Sequence, residues 1–264
     1  SGGPKKNPGW PKPDPLSICG SNKLSIRVCV AGATGWTGSA VTNGILRDDT
    51  FALVGAVARS SAGQDSGGVT ICATVAEALQ TPTDVFIDYS GAGPVKEHVL
   101  YAIERGVNVV VGSSGMTAAD YDDIARKALE KGVGVIGGGN FSVSATLMQH
   151  LALIAARHIP QFEVLDFCWA EKEDVPSGTA RELAEKLGDV QKPKHARAIE
   201  DLHGPVETRG ADINGVQVHS VRLPGYKLRC EAIFGMDGER LKVVHEAGQS
   251  AEPYVSGTLL AAKK

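Results

Sequence analysis

The feature that most constrains this fold is an alternation of short apolar runs with longer, helix-forming segments over residues 26–136. Strands that alternate with helices form parallel βαβ units, with helices packed on both faces of the sheet. The sequence therefore predicts an α/β domain with a Rossmann-type, doubly wound parallel sheet. Its predicted strands are 26–31, 51–57, 84–89, 107–111 and 133–136, and its predicted helices are 39–46, 75–79, 95–105 and 118–130.

The alternation weakens after Asn140. Later β-type runs follow one another with Gly or Pro turns between them and no helix of usable length. Runs connected in this way are typical of antiparallel sheets. We therefore expect a smaller α+β domain with a mostly antiparallel sheet. Its predicted elements are helices 143–158 and 177–187 and strands 162–169, 216–223, 228–234 and 241–246, with a last helix over 253–262 that returns to the first domain.

Composition excludes several classes of function. The formal net charge of −3 indicates no basic surface for nucleic acid. No apolar run reaches the roughly 18 residues that span a bilayer, so we expect no membrane segment. The five cysteines include no Cys-x-x-Cys pair and the seven histidines show no ligand spacing, so we expect neither a metal site nor a disulfide framework.

Residues 1–24 differ from the rest of the chain because they hold five of its 13 prolines and are rich in lysine. Proline removes backbone donors and fixes φ, so we expect this extension to be extended rather than packed. Two interpretations remain open for it. It is either a linker or the remnant behind a removed organelle-targeting peptide.

Three glycines, Gly32, Gly35 and Gly38, lie directly between the first predicted strand and the first predicted helix. Glycines at this turn let backbone N–H groups approach a pyrophosphate at the helix N-terminus. We therefore predict a dinucleotide-binding loop; the alternative is a tight turn without a ligand. The candidate cofactor-binding residues of this loop are Gly32, Ala33, Thr34, Gly35, Trp36, Thr37 and Gly38.

The end of the second strand predicts which dinucleotide is bound. A dinucleotide site commonly has an acid about 20 residues after the glycines, where it bonds the ribose hydroxyls. Residues 57–61 contain no carboxylate, and Arg59 with two serines suits a 2′-phosphate. We expect NADPH to be preferred over NADH, unless Arg59 is a solvated loop charge.

Two more loops follow predicted parallel strands. Gly112, Ser113, Ser114 and Gly115 follow the fourth strand, and a loop containing Gly139, Asn140 and Phe141 follows the fifth. Ligands of open parallel sheets bind outside the carboxyl ends of the strands. We therefore predict that both loops seat the nicotinamide, the alternative being ordinary strand–helix connections.

A candidate anion site begins the second-domain helix at Ser177. Ser177, Gly178 and Thr179 offer two hydroxyls and free N–H groups, and Lys172 adds a positive charge. This set suits a carboxylate or a phosphate. The alternative is a capped helix beside a surface lysine.

Taken in order and spacing, these motifs resemble the 4-hydroxy-tetrahydrodipicolinate reductase (dihydrodipicolinate reductase) family of the diaminopimelate route to lysine. The resemblance runs from about Ile26 to the C-terminus. It is carried by Val30–Gly38 (VAGATGWTG), Val85–Ser90 (VFIDYS), Gly112–Gly115 (GSSG), Asn140–Ser142 (NFS), Pro176–Ala180 (PSGTA), His219–Arg222 (HSVR) and Gly238–Leu241 (GERL).

The resemblance implies hydride delivery from NAD(P)H to a cyclic, conjugated imine dicarboxylate, followed by protonation. It implies that Lys172, Ser177, Gly178 and Thr179 bind the substrate carboxylates, with Lys172 also the catalytic proton donor. It also implies a homotetramer joined through the second-domain sheets. The expected division is an N-terminal extension (1–24), a dinucleotide-binding domain (25–140, with the return of 247–264) and a substrate-binding and oligomerisation domain (141–246).

One departure leaves three functions open. Cys168 and Trp169 stand where the family usually carries two adjacent histidines, and neither side chain replaces imidazole in proton transfer near neutral pH. We favour a working reductase with an altered proton-transfer site. The alternatives are a catalytically impaired, reductase-like assembly factor of a plastid dehydrogenase complex and a reductase of another cyclic imine. The expected location is the plastid stroma, with the cytoplasm as the alternative.

Overall fold

The computed structural model describes residues 25–264; the expectations for residues 1–24 lie outside it. The strands are β1 (Ile26–Ala31), β2 (Phe51–Val57), β3 (Asp65–Ser66), β4 (Val69–Cys72), β5 (Val85–Asp88), β6 (Asn108–Val111), β7 (Val135–Gly137), β8 (Phe162–Cys168), β9 (Ala211–Ile213), β10 (Val216–Arg222), β11 (Leu228–Met236) and β12 (Glu239–Ala247). The helices are α1 (Trp36–Leu46), α2 (Val75–Ala78), α3 (Val95–Glu104), α4 (Ala118–Lys131), α5 (Val143–Ala156), α6 (Gly178–Val190) and α7 (Glu252–Ala262).

The first sheet confirms the predicted Rossmann-type architecture. Its strand order is β3-β4-β2-β1-β5-β6-β7, and all neighbouring pairs are parallel except β3 with β4. The hairpin of β3 and β4 was not predicted. Both strands are very short, and their turn is made by Gly67 and Gly68 at positive φ, so they carry little apolar pattern.

Successive residues of β1 explain why helices cover both faces of this sheet. Val28 and Val30 belong to a buried cluster shared with α1 and α7, whereas Cys29 and Ala31 belong to one shared with α2, α3 and α4. Side chains alternate between the faces of a strand, so a strand buried on both sides is continuously apolar. Helix α7, at the end of the chain, thus completes the core of the first sheet.

The second sheet has the order β12-β11-β8-β10-β9 and is mostly antiparallel, as predicted. The pair of β8 and β10 is parallel, which the turn pattern did not predict. The connection between them contains α6, and a helix-containing crossover is the usual link between parallel strands. Helices α5 and α6 cover one face of this sheet, around Leu183 and Phe234.

The carboxyl end of the first sheet positions the site. The loops after β1, β5, β6 and β7 lie there, and the N-terminus of α6 meets the β7–α5 loop through a hydrogen bond from Asn140 to Thr179. Helix α1 begins at Trp36 rather than at Ser39 as predicted, because Gly35 already takes the N-cap position. Within residues 25–264, no helix has both the length and the apolar character needed to cross a membrane.

Candidate active site

The loop between β1 and α1 is tightly closed and requires two of its glycines. Gly32 has a φ of +76°, and a Cβ there would overlap the carbonyl oxygen of Tyr89. A Cβ on Gly38 would overlap the carbonyl oxygen of Gly32. Ala33 is buried and its N–H donates to the carbonyl oxygen of Val57 (3.2 Å), so this predicted cofactor residue fixes the loop against β2.

The start of α1 supplies hydrogen-bond donors for an anion. Gly35 is the N-cap and offers no side-chain acceptor, and the first N–H to bond within the helix is that of Ser39, to Gly35 (2.9 Å). The N–H groups of Trp36, Thr37 and Gly38 thus have no intrahelical partner. This donor set, at the positive end of the helix dipole, fits the pyrophosphate of a nicotinamide dinucleotide.

A cavity of about 690 Å³ lies on one side of this loop and is lined by Gly32, Thr34 and Gly35 together with Arg59. Arg59 begins a short 3₁₀ turn (Arg59–Ser61) after β2 and is exposed. No carboxylate of residues 25–264 pairs with it, so its guanidinium is available to a ligand. The cavity has the position and size for the adenosine half of a dinucleotide.

A smaller cavity of about 180 Å³ lies on the other side of the loop and joins the two predicted nicotinamide loops to it. It is lined by Trp36, Thr37, Tyr89, Gly112, Gly138, Gly139, Asn140, Phe141 and Tyr254. Gly112 is required here because a Cβ would overlap the ring of Tyr89. Ser113, Ser114 and Gly115 line neither cavity: Ser113 faces the interior, Ser114 is exposed, and Gly115 packs against Ala92.

Sequence reasoning missed a buried carboxylate that holds these loops. Asp88, at the end of β5, is fully buried and accepts hydrogen bonds from Ser90 Oγ (2.8 Å) and Ser113 Oγ (2.6 Å). His98 Nδ1 lies 3.0 Å from its other oxygen, and His98 lines the larger cavity. In the sequence, the only indication of this role was the position of Asp88 at the end of the apolar run of β5. Asp88 therefore ties the loops after β5 and β6 to the cofactor cavities.

The N-terminus of α6 is built on a second buried carboxylate, Asp166 of β8. Ser177 N–H and Oγ donate to its two oxygens (2.9 and 2.7 Å), and Arg222 pairs with it (2.8 Å). Burial alone would raise the pKa of Asp166, but the bonds from Ser177 and Arg222 outweigh burial and hold the pKa below its usual value. Asp166 is therefore an anion that fixes the turn before α6.

Ser177 is the N-cap of α6, and its hydroxyl is already in use. It donates to Asp166 and accepts from the N–H of Ala180 (3.3 Å). The N–H groups of Gly178 and Thr179 have no intrahelical partner. Thr179 Oγ1 accepts a hydrogen bond from Asn140 Nδ2 (3.4 Å), so the predicted substrate loop contacts the predicted nicotinamide loop.

Lys172 lies in the turn between β8 and α6. Its side chain is 16% exposed, and its ammonium pairs with Asp174, which holds the pKa of Asp174 below its usual value. The same ammonium is 4.8 Å from the ring centroid of Trp169. Lys227, which the sequence reasoning did not single out, places its ammonium 4.7 Å from the same centroid. Two cations therefore lie beside the indole of Trp169, at the position where the family resemblance leads one to expect a histidine.

Cys168 is fully buried, and its thiol lies 3.5 Å from Asp166. Burial, with the nearby charge of Asp166, raises the pKa of Cys168 to about 11. Neither His219 nor His245 replaces the missing imidazoles, because His219 pairs with Glu163 (2.8 Å) and His245 bonds to Ser144 (3.2 Å). Lys172 and Lys227 are thus the cationic side chains beside Trp169.

Two family models together match nearly all of the described chain. The model described as dihydrodipicolinate reductase, N-terminus, matches residues 26–141, and the one described as dihydrodipicolinate reductase, C-terminus, matches residues 144–264. Curated relatives carry the name 4-hydroxy-tetrahydrodipicolinate reductase. The relative from Moorella thermoacetica is 36% identical over 251 residues, which cover 91% of this chain and 92% of the relative. The relative from Bacillus licheniformis is 35% identical, and the match covers 92% of this chain and 93% of the relative.

Solved structures agree with these matches. Dipicolinate-bound dihydrodipicolinate reductase from Paenisporosarcina sp. TG-14 superposes with a TM-score of 0.80 and 26% identity, covering 91% of this chain and 94% of that one. A probable dehydrogenase from Thermotoga maritima has a TM-score of 0.63 at 11% identity, which shows a shared fold alone. The two family models together match residues 26–141 and 144–264, which contain the glycine loop, the loops after β6 and β7 and the Pro-Ser-Gly-Thr turn. The chain belongs to the dihydrodipicolinate reductase family.

Proposed function

We propose that this protein reduces 4-hydroxy-tetrahydrodipicolinate to tetrahydrodipicolinate with a reduced nicotinamide dinucleotide, in the diaminopimelate route to lysine. The proposal rests on the hydrogen bond between Asn140 and Thr179. This bond joins the loop after β7, which we assign to the dinucleotide, to the N-terminus of α6, which follows the turn that contains Lys172. Relatives at 31–36% identity bear the name of this reductase, and the related Paenisporosarcina enzyme binds dipicolinate, a cyclic dicarboxylate.

The chemistry needs a hydride, a proton and two bound carboxylates. When bound, the reduced nicotinamide supplies the hydride to the conjugated imine that forms once the 4-hydroxyl has left as water. The N–H groups of Gly178 and Thr179 bind one carboxylate at the positive end of α6. Ser177 acts through Asp166, holding the turn in place, because its hydroxyl is already bonded.

Lys172 is the proton donor in this proposal. Addition of the hydride converts the conjugated imine into an electron-rich enamine. A proton delivered to a carbon of this enamine then restores the imine. Lys172 lies in the turn before α6 with its ammonium beside the Trp169 ring, whereas the thiol of Cys168 is buried and the indole has no acidic proton near neutral pH. Pairing with Asp174 keeps Lys172 oriented in the turn.

We further propose that NADPH is preferred over NADH and that four copies assemble through the open face of the second sheet. Arg59, exposed beside the glycine loop with no carboxylate partner among the described residues, supports the first proposal. The second is supported by exposed apolar side chains on that face, such as Val244 (42% exposed). A plastid stroma location is proposed from the Lys- and Pro-rich composition of residues 1–24 alone.

A second candidate function is favoured by the buried thiol at position 168. A reductase-like protein that has lost proton transfer would keep the cofactor loop and serve assembly of a larger dehydrogenase complex. A reductase of another cyclic imine is the third possibility, with Trp169 shaping the pocket.

The deciding experiment is a coupled assay of NADPH oxidation with freshly made product of the preceding synthase. We expect turnover by the wild type and a loss of about 10²- to 10⁴-fold in kcat for Lys172→Met, the usual effect of removing a general acid. Lys264→Met, a lysine at the exposed end of the chain, is the matched control and should keep full activity. Dipicolinate binding without turnover would favour the assembly function. If the protein neither binds dipicolinate nor turns over the synthase product, reduction of another cyclic imine stays open.

A further inference from the structure

Lys227 is the side chain that bridges the two halves of the molecule. It ends the turn between β10 and β11, and its Nζ lies 4.7 Å from the ring centroid of Trp169 and 5.1 Å from that of Trp36. Trp36 begins α1 beside the cofactor loop, whereas Trp169 follows β8 beside the substrate turn. One ammonium therefore contacts an aromatic ring from each side of the cleft.

The charge of Lys227 is not neutralised by a protein carboxylate. Lys172 pairs with Asp174, but within residues 25–264 no carboxylate lies at ion-pair distance from Lys227, and its close partners are the two indole rings. Aromatic faces attract a cation without cancelling its charge. A half-buried ammonium held between two aromatic rings without a counter-ion is a binding group for an anionic ligand.

We infer that Lys227 binds one carboxylate of the substrate, while Lys172 and the start of α6 bind the other. This inference rests on the proposed dicarboxylate substrate. Both ammonium groups lie within 5 Å of the centroid of Trp169, so they are within about 10 Å of each other. A six-membered ring with a carboxylate on each side of its nitrogen suits such a pair.

Trp169 is then a positioning residue. Its ring holds two long, flexible side chains at fixed places, which reduces the conformational entropy lost when a ligand binds. The indole therefore contributes to dicarboxylate recognition although it cannot transfer a proton. Trp36 extends the same arrangement to the cofactor loop.

The test compares dipicolinate with picolinate, which lacks one of the two carboxylates, by isothermal titration calorimetry. For Lys227→Met we expect dipicolinate to bind about 10- to 100-fold more weakly, the usual value of a hydrogen bond to a charged group. Picolinate has only the carboxylate that binds at the start of α6, so Lys227→Met should weaken picolinate binding by less than about threefold. Lys227→Arg keeps the charge and should restore most of the affinity, and Lys264→Met removes an unrelated charge as the control.

The remaining outcomes overturn the inference. If Lys227→Met weakened the binding of dipicolinate and picolinate equally, Lys227 would attract anions without contacting the second carboxylate. A loss of NADPH affinity with unchanged dipicolinate affinity would assign Lys227 to a cofactor phosphate, and no dipicolinate binding by the wild type would remove the proposed ligand. Thermal unfolding of each variant shows that the fold is kept. This test measures binding, whereas the proposed function is tested by turnover. A wild type that binds dipicolinate without turnover would therefore refute the proposed function, and the binding comparison would still decide the role of Lys227.

Discussion

The thiol of Cys168 shows how burial removes a titratable side chain from the chemistry available at the end of a strand. It ends β8 with its sulfur toward Asp166, and burial raises its pKa to about 11. A thiol with this pKa stays protonated at neutral pH and neither takes up nor releases a proton at a useful rate. The residue therefore serves packing and the Asp166 network.

We expect Cys168→Ser to keep kcat within about threefold of the wild type, because the residue takes no part in proton transfer. Serine preserves a donor toward Asp166. Steady-state rates of NADPH oxidation check this. A loss of a hundredfold or more, with an unchanged melting temperature, would return Cys168 to the catalytic step.

Arg59 decides between the two dinucleotides in our proposal. Hydrogen bonds to a charged phosphate are worth about 1.5–3 kcal/mol, so Arg59→Ala should raise the KM for NADPH by tenfold or more. The KM for NADH, which lacks the 2′-phosphate, should change little. Arg126→Ala, on the exposed face of α4, is the control. Equal cofactor preference in wild type and Arg59→Ala would contradict the assignment.

At the scale of elements, β8, α6 and β10 are joined by one buried ion pair. Asp166 of β8 binds the N-cap Ser177 of α6 and Arg222 of β10. Removing one partner of a buried pair leaves the other charge without compensation and costs about 3–5 kcal/mol. The site at the start of α6 thus depends on a strand whose sequence reads as apolar.

For Asp166→Asn we expect the free energy of unfolding at pH 7 to fall by about 3–5 kcal/mol. The pKa of Asp166 is lowered in the folded state, so its stabilisation is complete above the unfolded value of about 4 and is lost as the pH falls toward the folded value. The difference between wild type and variant should therefore shrink at pH 3. Urea unfolding at both pH values measures it.

The control for this comparison is Asp84→Asn, which breaks the exposed pair of Asp84 with Arg27. Exposed pairs contribute little, so its effect at pH 7 should be far smaller. An Asp166→Asn effect of the same size as the control, or one that grows toward acid, would contradict the role given to Asp166.

The elements that sequence could predict are those with strong local patterns. The glycine loop, the apolar strands of the first sheet and the Pro-Ser-Gly-Thr turn each carry their signal within a few residues, and the structure places them around one cleft. Asp88 was missed because its role depends on Ser113 of the next loop along the sheet, and Lys227 because its partners come from distant parts of the chain. Lys227 meets Trp36 and Trp169, which are brought to it only by folding.

At the scale of the whole molecule, the second sheet leaves one face uncovered by its own helices. Leu165 and Val244 lie on that face, on the side opposite the cluster around Phe234. The face is mixed in character, because ion-paired residues such as Arg229 and Glu231 lie on it beside these apolar side chains. Exposed apolar side chains on a sheet face are typical of an interface between subunits. The packing also supports the proposed division into a domain of 25–140 with 247–264 and a domain of 141–246.

We expect Val244→Asp to reduce the assembly to smaller species, because a carboxylate would be buried without a partner in the proposed interface. Sedimentation velocity at several concentrations measures this. Leu129→Asp, at an exposed position of α4 in the first domain, is the matched control and should leave the assembly unchanged. A wild type that sediments as a monomer, or a Val244→Asp variant that sediments like the wild type, would contradict the proposed interface.

The position of α7 sets the order in which the protein is completed on the ribosome. Val255 and Leu259 fill the core of the first sheet, and Gly257 packs so closely on Phe141 that a side chain there would overlap its carbonyl oxygen. Translation of the first domain begins first, but that domain acquires α7 only after every strand of the second sheet has been made. During translation the second half therefore has all of its strands before the first half is complete.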